Sequence, residues 1–426
     1  MKATAILPLC LGLGIASAAV LPAPEEVLAS RDHEKLGDLI SEWLEAKKEG
    51  EGISDARQEL DEEIEKIVRR NREVEDLLVH VEDLEQCFLN AHQVEGRGLR
   101  KGRITEEEAT FKNGAEFEYA VWAPSRYDAR RNAYPLLLCI PEEGDQGSDH
   151  ETPKAHIEQQ WMNPDLREAM VIAAVGMPED AEQWPVMGDD YRGGLAMTMY
   201  TLGTLLDTAR IDPNRIYLSG RGQRGLTTAM AVANLFPDRF AGVIGRAGDM
   251  AEIDITNFRN LPTFFAGGGA NCTAFQEATE AAEYGNCTIS PQGSEADVWS
   301  WMEETVRTSN PHHVSFRPAL TMSRKTHWIE LDRYEPDGSA TLQAEIDVDA
   351  NRIEITAENI ETIWVYFNDA LVDLSQPVMV SCNGVEHEAQ IPRNMNFMLD
   401  QFYKTGDARR LYVNRMRYEL PAAESE

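Results

Sequence analysis

The sequence predicts an α/β protein with a mostly parallel central sheet covered by helices on both faces. Two continuous apolar runs, residues 134–140 and 171–175, are typical of strands buried on both sides. Helix-sized segments such as 194–209 alternate with these strands, which favours a doubly wound sheet. The period of the apolar residues changes on either side of this region, so we expect a helical segment before it and a β-rich segment after it.

These patterns divide the chain into four segments. Residues 1–18 combine an early lysine, an apolar run and a final Ala-Ser-Ala, which is typical of a secretory signal peptide, so we expect a secreted or periplasmic protein. Residues 25–92 predict a helical hairpin or short bundle, residues 110–310 an α/β domain, and residues 314–420 a β-sandwich-like domain.

The helical segment carries an apolar stripe at helical spacing, formed by Leu36, Leu39, Ile40, Trp43 and Leu44. The glycine-containing residues 50–52 interrupt it, and Ser54 or Asp55 is expected to cap the helix that follows. The stripe is explained either by packing within the chain or by a coiled-coil contact with a protein partner.

Beyond residue 311, alternating apolar residues predict short strands at 327–334, 341–346, 353–356, 363–367 and 378–382, and a helix at 393–404. Trp364, Tyr366 and Phe367 lie in one of these strands. They would either pack in the core or stack on the sugar rings of a polysaccharide, which makes carbohydrate binding one functional hypothesis.

Charge and cysteine usage limit the functional classes. The 426-residue chain has a formal net charge of −33 and would repel nucleic acid.

No apolar run after residues 1–18 approaches ~18 residues, so no membrane span is expected. No spacing of possible ligand residues predicts a metal or a cofactor. Cys272 and Cys287 flank a helix-sized segment and would form either a disulfide or two structural thiols.

Residues 215–226 have the layout of a strand, a tight glycine-rich turn and a helix with small side chains. In hydrolases such a turn reads Gly-x-Ser-x-Gly, and its serine attacks the acyl carbon. Here the turn is Gly220-Arg221-Gly222-Gln223-Arg224-Gly225, with Gly222 in the place of the serine. Glycine has no hydroxyl to activate, so the sequence predicts a nucleophile elbow that lacks its nucleophile.

Residues 115–310 resemble secreted bacterial α/β-hydrolases of the esterase and prolyl-oligopeptidase-like group. Residues 211–220 look like the family's strand into the elbow, 236–243 like its helix exit and next strand, and 261–271 like the strand and loop of the catalytic acid. The resemblance implies an α/β-hydrolase-like sheet and, if the chain is active, hydrolysis of esters or peptides.

The catalytic positions implied by this resemblance do not carry the family's residues. Asn271 stands in the place of the acid, and an amide does not stabilise an imidazolium as a carboxylate does. Residues 290–294, where the histidine is expected, contain none. The oxyanion loop reads Pro141-Glu142-Glu143-Gly144, and two carboxylates would oppose a developing oxyanion. No catalytic residue is therefore predicted.

Arg221 and Arg224 flank Gly222 at the start of the predicted helix, where backbone N–H groups favour anions. They would either hold a small carboxylate or phosphate or form ion pairs with Glu142 and Glu143 across the cleft.

Residues that could replace the missing chemistry have structural explanations: Ser219 as a strand-end hydroxyl, His312 and His313 as surface residues, His327 as a packed residue, and Cys272 as a buried thiol. The leading hypothesis is a catalytically degenerate, exported hydrolase-like protein with a binding or scaffolding role. The alternatives are a hydrolase with an unconventional nucleophile and a carbohydrate-binding protein.

Overall fold

The computed structural model describes residues 27–421, except 73, 92–97, 113, 130–131, 143–151, 177–192 and 322. The predicted signal peptide lies outside the described residues. Helices α1–α10 and strands β1–β17 are numbered in chain order within this part of the chain. None of these helices has the length and apolar character needed to cross a bilayer.

The N-terminal segment forms α1 (Ser30–Glu49), α2 (Ile53–Arg70) and α3 (Val81–Ala91). Gly50 and Gly52 separate α1 from α2 with left-handed φ values of 80° and 71°, which confirms the predicted break. The expectation that Ser54 or Asp55 caps α2 is wrong. The helix begins directly after Gly52 without a side-chain cap, because the left-handed turn at this glycine sets its start.

An eight-stranded sheet forms the centre, in the order β1-β2-β4-β3-β5-β6-β7-β8. Its strands are β1 (Ile104–Thr110), β2 (Glu116–Trp122), β3 (Tyr134–Ile140), β4 (Val171–Val175), β5 (Ile211–Arg221), β6 (Gly242–Arg246), β7 (Thr263–Ala266) and β8 (Cys287–Ser290). β2 is antiparallel to both neighbours, and the pairs from β4 to β8 are parallel. This is the predicted α/β-hydrolase-like sheet, and it brings the carboxyl ends of its parallel strands to one edge.

Helices cover both faces of this sheet, as the sequence predicts. One face packs against α6 (Gly194–Thr208), α7 (Gly222–Leu235) and α8 (Ala270–Ala281), and the other against α4 (Pro153–Gln160), α5 (Pro164–Ala169) and α9 (Glu295–Glu304). β3 and β4 coincide with the two apolar runs because strands covered on both faces need no polar side. The edge strand β1 is mostly polar and the edge strand β8 is half polar, and the sequence patterns do not predict them.

Two further sheets form the C-terminal part, in the orders β10-β11-β14-β17 and β16-β15-β13-β12-β9. Their elements are β9 (His313–Phe316), β10 (Lys325–Thr326), β11 (Ile329–Tyr334), β12 (Thr341–Asp347), β13 (Arg352–Glu358), β14 (Ile360–Phe367), β15 (Val378–Cys382), β16 (Val385–Ala389), α10 (Met395–Thr405) and β17 (Asn414–Glu419). This is the predicted β-sandwich-like unit with its one helix. The sequence patterns predict no separate strand at β9.

The N-terminal helices and the C-terminal sheets share one hydrophobic core. Leu36 and Ile40 of the apolar stripe are buried in the same cluster as Ile363 of β14. The ring of Phe88 in α3 meets that of Phe402 in α10 edge-on, with 4.8 Å between centroids. The stripe is therefore buried within its own chain, and a coiled-coil partner would need the same side chains.

The disulfide hypothesis for Cys272 and Cys287 is wrong. Both residues are free and buried, Cys272 in the first turn of α8 and Cys287 at the start of β8. Burial raises the pKa of each thiol to about 11, so the thiolate that disulfide chemistry requires is scarce at neutral pH.

A buried ionic network joins the α/β unit to the C-terminal sheets. The guanidinium of Arg307, which follows α9, donates to the two carboxylate oxygens of Asp407 at 2.7 and 2.8 Å. Arg410 pairs with Asp238, which follows α7, and these four side chains are at most 6% exposed. Burial alone would raise the pKa of both carboxyls, but the neighbouring guanidinium groups hold it well below the usual range, at about 2 for Asp238.

His327 adjoins this network. Its backbone N–H donates to the carboxylate of Asp238 at 3.0 Å, and its φ of 47° is left-handed. Burial lowers the pKa of its ring to about 4, so the folded protein holds this histidine neutral at pH 7.

Replacing Asp407 by Asn is expected to lower the free energy of unfolding by about 3–5 kcal/mol, because Arg307 would lose its buried counter-charge. Urea denaturation followed by circular dichroism measures this loss. Asp400→Asn is the matched control, since Asp400 is 44% exposed where it pairs with Lys47, and its loss should stay below about 1 kcal/mol. If the two variants lost the same free energy of unfolding, the buried network would not stabilise the protein more than an exposed ion pair does.

His327→Asn is expected to reduce the loss of stability on acidification. Between pH 6.5 and about 4 the unfolded histidine binds a proton and the folded one does not, so stability rises with pH across this window and falls as acid is added. Asn tolerates the left-handed φ and does not titrate. The difference in unfolding free energy between wild type and variant should change by about 3 kcal/mol from pH 7 to pH 4. Glu85, whose pKa burial raises to about 7, acts in the opposite direction but is common to both proteins. If the unfolding free energies of wild type and variant changed in parallel with pH, the lowered pKa of His327 would be contradicted.

Candidate functional site

The predicted elbow forms where β5 ends and α7 begins. Gly222 has a φ of 66°, the left-handed conformation in which such turns hold the nucleophile. A Cβ on Gly225 would lie 2.7 Å from the carbonyl oxygen of Pro141, so glycine allows α7 to approach the loop after β3. Gly220 is likewise packed against the backbone of Gly225, and Gln223 is exposed. The turn keeps the backbone of an elbow and lacks its side chain.

Glu142 covers the position of the missing nucleophile. A Cβ on Gly222 would lie 2.7 Å from Cγ of Glu142 and 2.9 Å from its Oε1. The other carboxylate oxygen of Glu142 lies 2.8 Å from Nη1 of Arg221, so a neighbouring cation holds the side chain there. The space into which a serine hydroxyl would project is filled by a carboxylate, which would repel an oxyanion.

Arg221 and Arg224 were expected either to bind a small anion or to pair with Glu142 and Glu143. The structure describes such a contact for Arg221. Its contact with Glu142 is one of the ion pairs expected across the cleft. Arg224 is exposed in the first turn of α7, and Glu143 lies outside the described residues. Binding of a small anion at this helix end therefore stays a prediction.

Asn271 lies in the first turn of α8, directly after the loop that follows β7. Its side-chain amide donates to the carbonyl oxygen of Met250 at 2.6 Å, and its backbone N–H donates to the carboxylate of Asp249 at 3.1 Å. The residue at the expected acid position thus ties the loop after β6 to the start of α8.

Asp249 is a carboxylate near the elbow that the sequence analysis missed. It accepts hydrogen bonds from the N–H groups of Asn271 and Cys272 at 3.1 and 3.0 Å and so caps α8. Burial raises its pKa, but these backbone hydrogen bonds outweigh that effect and hold the pKa below the usual value. A Cβ on the preceding Gly248 would lie 2.8 Å from the backbone nitrogen of Gln223. No motif marks Asp249, because its proximity to the elbow arises from the pairing of β5 with β6.

The loop between β8 and α9, where a histidine would be expected, starts a helix instead. Its Ser294 forms a capping box with Asp297 in the first turn of α9. His313 lies in β9 with its ring 3.5 Å from Glu345 of the neighbouring strand, and His312 is half-buried beside it. This pair belongs to the C-terminal sheet.

Several alternative nucleophiles are buried. Ser219 is 2% exposed within β5, and Cys272 is fully buried. The hydroxyl of Thr326 lies 2.9 Å from Nδ1 of His327, which resembles a nucleophile beside its base. Thr326 and His327 are only 1% and 4% exposed, however, so a substrate has no access to this pair.

The aromatic residues of β14 do not form an open stacking surface. Phe367 is fully buried and Tyr366 is 2% exposed. The guanidinium of Arg415 lies 4.1 Å from the centre of the Trp364 ring and occupies the face on which a sugar would stack. Among the described residues, no group of three or more His, Cys, Asp or Glu side chains is placed to hold a metal ion.

No family model matches this sequence, and no curated protein does. Among solved structures, a thermostable esterase is similar at 18% identity and a TM-score of 0.38, over 48% of this chain and 63% of its own, which is less than two thirds of its length. A ferulic acid esterase from Anaeromyces mucronatus is similar at 12% identity and a TM-score of 0.36, over 50% of this chain and 94% of its own. Similarity at this level does not bear on activity.

Gly222→Ala is expected to lower the free energy of unfolding by about 1–3 kcal/mol, because alanine is strained at a left-handed φ and its Cβ meets Glu142. Gly384→Ala measures the backbone cost alone, since φ there is 81° and nothing lies within 4 Å of the added Cβ. We expect Gly222→Ala to cost more than Gly384→Ala.

In the background of Glu142→Ala, the cost of Gly222→Ala should fall to that of the Gly384 control, with a coupling of at least about 0.5 kcal/mol in the double-mutant cycle. Additive effects of the two substitutions would contradict the placement of Glu142 over the elbow.

Proposed function

We propose that this chain is a catalytically inactive hydrolase-like protein that acts by binding or scaffolding outside the cytoplasm. The observation that carries the proposal is the filled elbow. Gly222 has no hydroxyl, and the side chain of Glu142, paired with Arg221, takes the space of the nucleophile. A negative charge at this place also opposes the charge that acyl transfer develops.

Two further features support the loss of acyl-transfer chemistry. The side chain of Asn271 at the acid position is engaged by the backbone of Met250, and residues 290–294 at the histidine position contain no histidine and end in Ser294, which caps α9. The loss of one group alone can cost an enzyme several orders of magnitude in rate, and here three positions of the triad are changed together. Export is supported by the signal-like composition of residues 1–18.

Hydrolysis by an unconventional nucleophile is the competing function. It requires a hydroxyl or thiol that reaches a base and a substrate at the same time. Ser219, Cys272 and Thr326 are each at most 2% exposed, which argues against all three. Carbohydrate binding by β14 is disfavoured by the position of Arg415 over Trp364.

The purified protein is expected to show no turnover of short p-nitrophenyl esters above background and no labelling by a fluorophosphonate probe. Gly222→Ser should also remain inactive, because the new hydroxyl meets Glu142 and gains no base from the loop before α9. An active esterase of the same fold is the positive control. Turnover in the wild type that is abolished by replacing a single Ser, Cys or His would overturn the proposal.

A further inference from the structure

The tripeptide Asn-Cys-Thr occurs at residues 271–273 and again at residues 286–288. An asparagine that is followed by any residue except proline and then by serine or threonine is the acceptor pattern for an N-linked oligosaccharide. The first tripeptide lies in the first turn of α8, and the second leads into β8. Because the two tripeptides are identical, the folded structure around each asparagine is what distinguishes them.

The side chain of Asn271 is accessible at the surface. The residue is exposed, and its Nδ2 donates a hydrogen bond to the carbonyl oxygen of Met250 at 2.6 Å. This is the one hydrogen bond that the amide nitrogen donates within the part of the chain that the structure describes. A side-chain amide nitrogen carries two hydrogens. A sugar can therefore replace one of them while the other keeps the contact with Met250.

The side chain of Asn286 has no such capacity. Its Nδ2 donates to the carbonyl oxygens of Phe258 and Arg259, at 2.7 and 3.1 Å, and the residue is half-buried. Both hydrogens of this amide are used, so a sugar on Nδ2 would remove one of the two bonds and leave a carbonyl oxygen without its donor. The folded protein therefore favours modification at Asn271 over Asn286.

Asn271 lies close to the elbow. Its backbone N–H donates to the carboxylate of Asp249 at 3.1 Å. A Cβ on Gly248, the residue before Asp249, would lie 2.8 Å from the backbone nitrogen of Gln223 in the elbow. An oligosaccharide is bulky and polar. Attached to Asn271, it would start at the edge of the sheet where the elbow lies.

We propose that Asn271 carries an N-linked oligosaccharide in the exported protein. In this transfer a bond forms between Nδ2 and C1 of the first sugar, the bond from C1 to the pyrophosphate of a lipid-linked donor breaks, and the amide nitrogen gives up one proton. The proposal rests on the proposed export, because the transferase acts on chains that enter the secretory membranes. The oligosaccharide would solubilise this edge of the sheet and shield the elbow from large partners.

Secretion of the full chain from yeast, with its own residues 1–18, tests the proposal. An amidase that releases N-linked oligosaccharides converts each modified asparagine to aspartate, and heavy-oxygen water marks that position for mass spectrometry. We expect the secreted protein to lose mass, with the label at residue 271 and unlabelled Asn286. A secreted chain with unlabelled Asn271 would overturn the proposal, and label at Asn286 alone would overturn the argument from the two amides.

The two threonines provide matched variants, since each is exposed and each completes one acceptor pattern. Thr273→Ala should abolish the modification while it leaves the Nδ2 contact of Asn271 in place, and Thr273→Ser should retain it. Thr288→Ala should leave the modification unchanged. Loss of the oligosaccharide in Thr288→Ala but not in Thr273→Ala would overturn the assignment.

The same experiment separates this proposal from the proposed function. A secreted chain that lacks the oligosaccharide would overturn the modification alone. A chain that stays inside the cell with residues 1–18 still attached would overturn both the export and the modification. Ester turnover by the secreted protein would overturn the inactive elbow, and label at residue 271 of the same sample would still support the modification.

Discussion

The buried pairing of Arg307 with Asp407, and of Asp238 with Arg410, is the constraint on which the assembly of this chain depends. Each pair joins a residue of the α/β unit to a residue just after α10 in the C-terminal unit. Such groups are costly to bury, so they stabilise the protein only while every partner is in place. The network therefore favours a single arrangement of the two units, and α1 and α3 pack onto the surface that this arrangement creates.

The elbow keeps the backbone of a hydrolase-type turn although its central position carries no side chain. The left-handed turn, the close approach of α7 and the parallel strands around it serve the packing of the sheet. Once the residue at 222 has no side chain, the space above it is open to a neighbour, and Glu142 with its partner Arg221 fills it. Asp249 is a carboxylate beside the elbow whose hydrogen bonds serve the start of α8.

The sequence predicts best where one physical effect dominates. The runs at β3 and β4 are apolar because both faces are covered, and Gly50 and Gly52 end a helix through backbone conformation alone. The edge strands β1 and β8 lack such a pattern. The contact of Glu142 with Gly222 and the proximity of Asp249 join separate loops, so only the strand order brings them together. The elbow itself was recognisable because its glycines meet a local steric requirement, whereas the role of Asn271 depends on the carbonyl oxygen of Met250 in another loop.

The core shared by the two ends of the chain has a consequence for synthesis. Lys47 of α1 and Asp400 of α10 are 353 residues apart in sequence, yet their side chains meet at 2.9 Å. At ribosomal rates of about 5–20 residues per second, the apolar stripe of α1 emerges on the order of tens of seconds before the surface that buries it. The apolar stripe of α1 is therefore fully buried only after α10 has been made. The chain does not mature unit by unit, and a chaperone would hold α1 until the C-terminal unit is complete.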